Sequence, residues 1–306
     1  MVSGRDGDRE ALRDRRAADR VPAADRPSRH ASAGVARDDA THRWYSIDEL
    51  ERRHNAHEQA RAEVVAAIPR DWRQAAAGRR DLPGFLFEPD DVVVVIGQDG
   101  LVANTAKYLD GQPVIGIDPD PGSNPGVLVP HRPSAFADLR ADVDAGRATI
   151  AARTMIRATV DDGREIVALN EIFIGHRTHQ SARYTLKAGG SLERQSSSGV
   201  IVASGTGSTG WAQSINRDRG EPLLLPAPIE PALAWFVREA WSGPGTGTSL
   251  GLGRLATGEA LELTCENGDD GVVFGDGIED DRLALDWGAG VRVEVADRRL
   301  MHVTTG

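Results

Sequence analysis

The sequence holds a single cysteine, Cys265. One thiol excludes an internal disulfide and any zinc site built from cysteines, and it suits a reducing compartment. Lysine is almost absent: of 36 basic residues only Lys107 and Lys187 are lysine. A kinase-like site that needs a cation is therefore expected to use arginine or a metal ion. No run of 18 apolar residues occurs, so no membrane span is expected and a cytoplasmic location is. Positive charge is also short. With 46 acids the formal net charge is -10, which argues against general binding to nucleic acid or to anionic membranes. What is present is 306 residues, 40% apolar and 27% charged. That suffices for one large domain or two ordinary ones.

Residues 1–40 stand apart, with nine arginines, eight acids and no aromatic residue. Interspersed charge without bulky apolar anchors does not repay the entropy of ordering, so a disordered tail is expected there. It has neither the apolar stretch of a secretory signal nor the acid-poor composition of a transit peptide. Order begins near Trp44. Ser46 followed by Glu49 is a capping-box pattern, and Ile47, Leu50, Val64, Val65 and Ile68 continue at helical spacing up to Pro69. His54 and His57 on that stripe read as packed or half-exposed helix residues.

Val92–Ile96, VVVVI, is short, wholly apolar and β-branched, which suits a strand buried on both faces of a parallel sheet. A Gly-rich turn, a helix over 101–109 and a second apolar run, PVIGI at 113–117, complete a βαβ unit. A helical stretch spans about 134–143. From 148 onward the texture changes to short alternating segments separated by turn signals, which predicts antiparallel β-structure. The apolar stretch 222–241 is the exception and reads as a loop followed by a helix from Pro231. The expected organisation is a tail at 1–40, an α/β domain at 41–146 and a mainly β domain at 147–306.

Three places carry chemistry. Gly97-Gln98-Asp99-Gly100 joins a buried strand to a helix N-terminus, where glycines expose backbone N–H groups and the helix dipole favours anions. Asp99 there is badly placed merely to bind phosphate. It is well placed to take a proton from a hydroxyl beside a phosphate, or to help hold a metal ion. The alternative is an Asp-Gly turn without chemistry. Gly205-Thr206-Gly207-Ser208-Thr209-Gly210 spells the dinucleotide fingerprint. Pro222, Pro226 and Pro228 interrupt the βαβ unit that a true fingerprint needs, so a loop wrapping a nucleotide by backbone and hydroxyl contacts is the better reading. Asn170-Glu171 interrupts an apolar run, ALNEIFIG, either to grip ligand hydroxyls or to turn a strand edge to solvent.

Weaker signals carry less. Asp118, Asp120, Gly122 and Asn124 loosely resemble a calcium loop, but Val129 stands where its glutamate belongs. Ser208 lacks the glycine two residues earlier that a nucleophile elbow needs.

Taken in order, the three motifs resemble the NAD kinase family, and more narrowly its mitochondrial-type branch. The family's GGDG turn stands here as Gly97-Gln98-Asp99-Gly100. RQSSSGVIVASGTGSTGWAQSINR at 194–217 resembles its Ser-Gly-strand-Thr-Gly-Ser segment, and Asp276-Gly277 its later Asp-Gly. The likeness spans roughly 90–290. It implies an N-terminal α/β domain, Rossmann-like with a parallel sheet, plus a C-terminal antiparallel β-sandwich domain, with the site between them.

The resemblance further implies transfer of the γ-phosphate of ATP, or of polyphosphate, to the 2′-hydroxyl of the adenosine ribose of NAD, with magnesium on the donor. Asp99 matches the general base. Gly97 and Gly100 match glycines that bring backbone near ATP phosphates, with Gln98 between them. Asn170 and Glu171 match the pair that binds NAD. Thr209, Gly210, Trp211 and Ser214 match positions lining the dinucleotide, and Thr206, Gly207 and Ser208 open that motif. Backbone amides of the 97–100 turn and the 205–208 loop are expected to stabilise the moving charge. An acidic chain that binds polyanions needs such local cradles and a divalent ion rather than bulk attraction. A homo-oligomer, a dimer first, is implied by the resemblance alone.

Gln98 departs from the family's second glycine. A positive φ at that position would cost glutamine of order 1 kcal/mol or more. Asp118 likewise stands where asparagine is the family's residue. The competing expectations are a module of the same fold that binds a dinucleotide without turning it over, a lipid or sugar kinase of the wider GGDG group, and an NAD(P)-dependent oxidoreductase.

Overall fold

The computed structural model describes residues 2–5, 46–122 and 126–304. Of the tail expected at 1–40, Val2–Arg5 forms strand β1, and 6–40 lies outside the described residues. β1 lies antiparallel between β2 (Trp72–Ala75) and β3 (Val92–Ile96). Helix α1 (Ile47–Ala66) opens as its capping pattern predicts: the Glu49 amide donates to Ser46 Oγ at 3.1 Å. It turns Ala60 and Val64 inward and leaves Val65 exposed.

The first four residues of β3 are buried, and β3 pairs in parallel with β4 (Pro113–Ile117) from Val93↔Val114 to Ile96↔Ile117. Helix α2 (Asp99–Ala106) connects them and starts two residues before the expected Leu101, so Asp99 is its first residue. Helix α3 (Phe136–Asp144) follows a 3-10 turn at Pro133–Ala135 and buries Phe136.

The remaining chain is a run of strands: β5 (Thr149–Val160), β6 (Glu165–Ala168), β7 (Glu171–His176), β8 (Ala182–Ala188), β9 (Ser191–Ser197) and β10 (Val200–Ala203). After the short helix α4 (Trp211–Arg217) come β11 (Ala232–Val237), β12 (Leu252–Ala256), β13 (Ala260–Cys265), β14 (Gly271–Gly275), β15 (Leu283–Leu285) and β16 (Gly290–Thr304). One sheet has the order β12-β11-β10-β7-β14-β15 and is antiparallel throughout. It packs on β5, β6, β8, β13 and β16 around a core that includes Ile156, Ile172, Leu186, Val202, Leu233, Trp235, Leu261 and Val293. This is the expected β-sandwich beside an α/β domain.

Two features differ from expectation. The helix expected from Pro231 is strand β11, with all six residues buried. β11 lies between β10 and β12; Leu233, Trp235 and Val237 face the sandwich core, while Ala234 and Phe236 face a second cluster under α4. A strand covered on both faces needs no polar alternation, so its apolar run carries no period of two. The two domains also share one sheet. β16 runs antiparallel to β13 and β5, then pairs in parallel with β4 through Met301↔Pro113 and His302↔Val114. The end of the described chain thus returns to the α/β domain. No helix among the described residues is long and apolar enough to cross a membrane.

Candidate functional site

The Gly97–Gly100 turn leaves the half-buried C-terminal end of β3, where the Gly97 amide donates to the Ile117 carbonyl of β4 at 3.0 Å. Gln98 caps α2 with φ -106° and ψ 165°, an extended conformation open to any residue, and its side chain is exposed. The strain that a positive φ would impose on glutamine is therefore absent. Asp99 Oδ1 accepts from the Leu128 amide and Oδ2 from the Val127 amide, both at 2.9 Å. A carboxylate offers roughly four lone-pair sites. Two are occupied by this loop, and two are left for a hydroxyl or for water on a metal ion. The position at a helix N-terminus favours the negative charge.

The loop that grips Asp99 is itself seated on β4. A Cβ on Gly116 would stand 1.9 Å from the Leu128 carbonyl oxygen, so only glycine admits this close approach. Leu128 and Val129 then join Val102 and Ala103 of α2 and Leu169 in one apolar cluster. That cluster carries α2 on one side and the Asn170-Glu171 bend on the other.

Asn170 occupies the bend between β6 and β7, and Glu171 is the first residue of β7. The 204–209 loop packs directly on this bend. The Ser204 amide donates to the Asn170 carbonyl at 2.9 Å, and a Cβ on Gly207 would lie 2.1 Å from that same oxygen. The structure thus brings Asn170 and Glu171 together with Thr206, Gly207 and Ser208, which are all buried. Thr209, Gly210 and Ser214 are exposed at the start of α4. The Thr206 and Gly207 amides do not face open space, contrary to the expected charge-stabilising cradle: both point at Ser204 Oγ, at 3.1 and 3.4 Å. A serine that closes the turn on itself occupies these two amides, and the Ser208 and Thr209 hydroxyls donate to the Ser204 and Thr206 carbonyls. Thr206 Oγ1 is buried and has no hydrogen-bond partner. The fingerprint spelling is not a Rossmann turn, because β10 is antiparallel to both its neighbours, β7 and β11.

No profile of a known family matches the chain. Among curated proteins, an NAD kinase of Chlorobaculum tepidum is 24% identical over 181 residues, covering 58% of this chain and 62% of the relative. An NAD kinase of Clostridium tetani is 31% identical over 143 residues, covering 44% of this chain and 50% of the relative. The crystal structure of yeast NADH kinase complexed with NADH matches with a TM-score of 0.56 and 20% identity, over 70% of this chain and 62% of that one. Over these spans the chain is similar to NAD kinases, and its fold is that of the yeast NADH kinase structure. It spans between half and just over three-fifths of the length of these curated relatives.

Within this fold, Asp276 is the site neighbour to which the sequence motifs assign no role. It follows β14 in a left-handed conformation, φ 55°, which aspartate tolerates better than most residues. Its carboxylate turns back to accept from the Leu169 amide at 3.1 Å and the Asn170 amide at 2.7 Å, while its own amide donates to the Glu171 carbonyl at 2.9 Å. Burial raises the Asp276 pKa despite these bonds. Burial, and then the charge of Asp276, push Glu171 up to about 7. Lys107, just past α2, reaches the Gly275 carbonyl at 3.4 Å and Asp281 at 3.6 Å, so it ties α2 to the Asp276 turn. The Asp276-Gly277 pair is the sequence signal for this turn; nothing marks Lys107.

Trp211 already has protein partners. Its ring stacks on Phe173 with centroids 6.1 Å apart, and the Arg238 guanidinium lies 5.0 Å from its centroid. Among the described residues no three His, Cys, Asp or Glu side chains converge to hold a metal ion.

Proposed function

We propose that this chain is an NAD kinase that moves the γ-phosphoryl group of ATP, or a phosphoryl group of polyphosphate, to the 2′-hydroxyl of the adenosine ribose of NAD. The ribose oxygen bonds to the γ-phosphorus as the bond from that phosphorus to its bridging oxygen breaks. ADP leaves, and the hydroxyl proton passes through Asp99 to solvent. The observation that carries this reading is the Asp99 carboxylate. It stands at the head of α2, oriented by two loop amides, with acceptor sites to spare. Phosphoryl transfer is largely positioning and electrostatics, so a held carboxylate without a covalent nucleophile suits it.

Magnesium bound to the donor phosphates would neutralise charge as it builds on the leaving oxygens. Such an ion keeps several waters and takes only one or two carboxylates, so the free lone pairs of Asp99 fit it and no protein cluster is required. On the acceptor side, Asn170, Glu171 and the partnerless Thr206 hydroxyl are the groups that would grip ribose and diphosphate. Thr209, Gly210, Trp211 and Ser214 extend that wall. Trp211 would present to NAD whatever surface Phe173 and Arg238 leave. A cytoplasmic home, a homo-oligomer and the mitochondrial-type branch, suggested by Trp211 and Ile215-Asn216-Arg217, complete the reading.

The test is purified protein with NAD, ATP and magnesium, with NADP read by an NADP-specific dehydrogenase. NADP formation that requires Asp99 is the expected result. NAD binding by calorimetry without NADP from ATP or polyphosphate would replace this reading with a binding module. Phosphorylation of a lipid or sugar in preference to NAD would replace the acceptor.

A further inference from the structure

We propose that His302 and Arg153 are positioning residues for Asp99, acting through Leu128. The role rests on the NAD kinase reading; the geometry does not. His302 lies on the stretch of β16 that pairs with β4, and its side chain is wholly buried. Its Nδ1 accepts from Arg153 Nε at 3.2 Å, and an arginine can only donate. The ring proton therefore sits on Nε2, which donates to the Leu128 carbonyl at 2.9 Å. Leu128 is thus held at both ends: its carbonyl by His302 and its amide by Asp99 Oδ1. His131 Nε2 donates to the Val303 carbonyl at 2.9 Å and ties the same segment to β16 a second time. Burial, reinforced by the Arg153 charge, lowers the His302 pKa to about 4, so the imidazole is neutral at physiological pH, with one donor and one acceptor.

Packing alone does not explain Arg153. It is 7% exposed, and its Nη1 is buried without a hydrogen-bond partner. A desolvated guanidinium is an expensive way to fill a strand position, and an apolar residue of similar size would do so at less cost. What it has instead is the opposite charge of Asp99 acting on it and a histidine whose tautomer it fixes. The chain Arg153–His302–Leu128–Asp99 runs from β5 through β16 to the head of α2. It fixes the carboxylate against the strand that joins the two domains. Support of this kind is what keeps a reacting group within a fraction of an ångström of its working position.

The experiment uses the full chain and the variants His302→Leu, Arg153→Lys and Asp99→Asn. Amide hydrogen exchange comes first. The His302→Leu variant should exchange at Val127 and Leu128 about tenfold faster or more, with β10 amides unchanged. Unchanged protection at both amides would overturn the proposal. If His302→Leu fails to fold, Arg153→Lys carries the same expectation and the same refutation.

Kinetics come second. His302→Leu should lower kcat about 10- to 100-fold with little change in KM for NAD or ATP, and should cost nothing further in an Asp99→Asn background. Losses that multiply in that background would show that His302 acts elsewhere. Wild-type protein that makes no NADP would sink the kinase reading, and exchange at Val127 and Leu128 would still decide whether the relay holds Asp99.

Discussion

The Leu128 amide donates to Asp99 Oδ1 at 2.9 Å, so the candidate base is held by backbone from a loop 29 positions further along the chain. This makes Asp99→Asn more than a loss of charge. An asparagine has one acceptor oxygen, so either Val127 or Leu128 would meet an NH2 group. We expect a stability loss of about 1–3 kcal/mol from the unsatisfied donor, together with a fall in NADP formation of about 10²- to 10⁴-fold. Denaturant unfolding and turnover measured on one preparation check both. A variant with full activity would remove Asp99 from the role of base.

Gln98 gives a prediction of the opposite kind. Because its φ is -106°, placing a glycine there relieves no strain. Gln98→Gly should not raise NADP formation. It should lower stability by roughly 0.5–1 kcal/mol, because glycine has more freedom to lose on folding. A large gain in kcat would show that the glutamine side chain, not its backbone, obstructs the donor.

How much of this is legible in the sequence follows from which atoms form the contacts. β3 can be read from VVVVI because burial on both faces of a parallel strand admits only apolar residues. The Asp99 turn can be read because glycines flank it. The groups that hold Asp99 cannot, since Val127 and Leu128 act through backbone amides and leave no mark in side-chain chemistry. His302 and Arg153 are separated from Asp99 by 203 and 54 positions and meet it only because β16 returns beside β4. β11 reads as a helix in the sequence because a strand covered on both faces loses its alternation.

The contact between the 204–209 loop and the Asn170 bend is backbone against backbone, so it admits no side chain. Gly207→Ala would place a Cβ 2.1 Å from the Asn170 carbonyl oxygen, and neither main chain is a flexible end that could swing away. We expect a stability loss of about 3 kcal/mol or more and NAD binding weakened at least about tenfold. Gly220→Ala, where nothing lies within 4 Å, should stay within about 0.5 kcal/mol. Thermal melts with and without NAD distinguish the two. Equal behaviour would mean that the two motifs are not rigidly docked.

Glu171 supplies a pH dependence with a definite sign. Its folded pKa, about 7, lies above the ordinary carboxyl value of 4.5, chiefly through burial and secondarily through Asp276. Between those two values the folded chain keeps a proton that the unfolded chain has lost. The contribution is therefore fully present below about pH 4.5 and fades as pH rises through 7. A glutamine cannot ionise and escapes that loss. The stability of Glu171→Gln relative to wild type should thus climb from pH 5 and level off near pH 8. The climb is at most roughly 3 kcal/mol, because each tenfold change in proton affinity is worth about 1.4 kcal/mol. His302 titrates alike in both proteins to first order, so the difference between the two stability curves reports Glu171 together with its coupling to Asp276. A constant offset from about pH 5 to about pH 8.5 would mean that water reaches the carboxylate and that Glu171 is not held in a desolvated pocket beside Asp276.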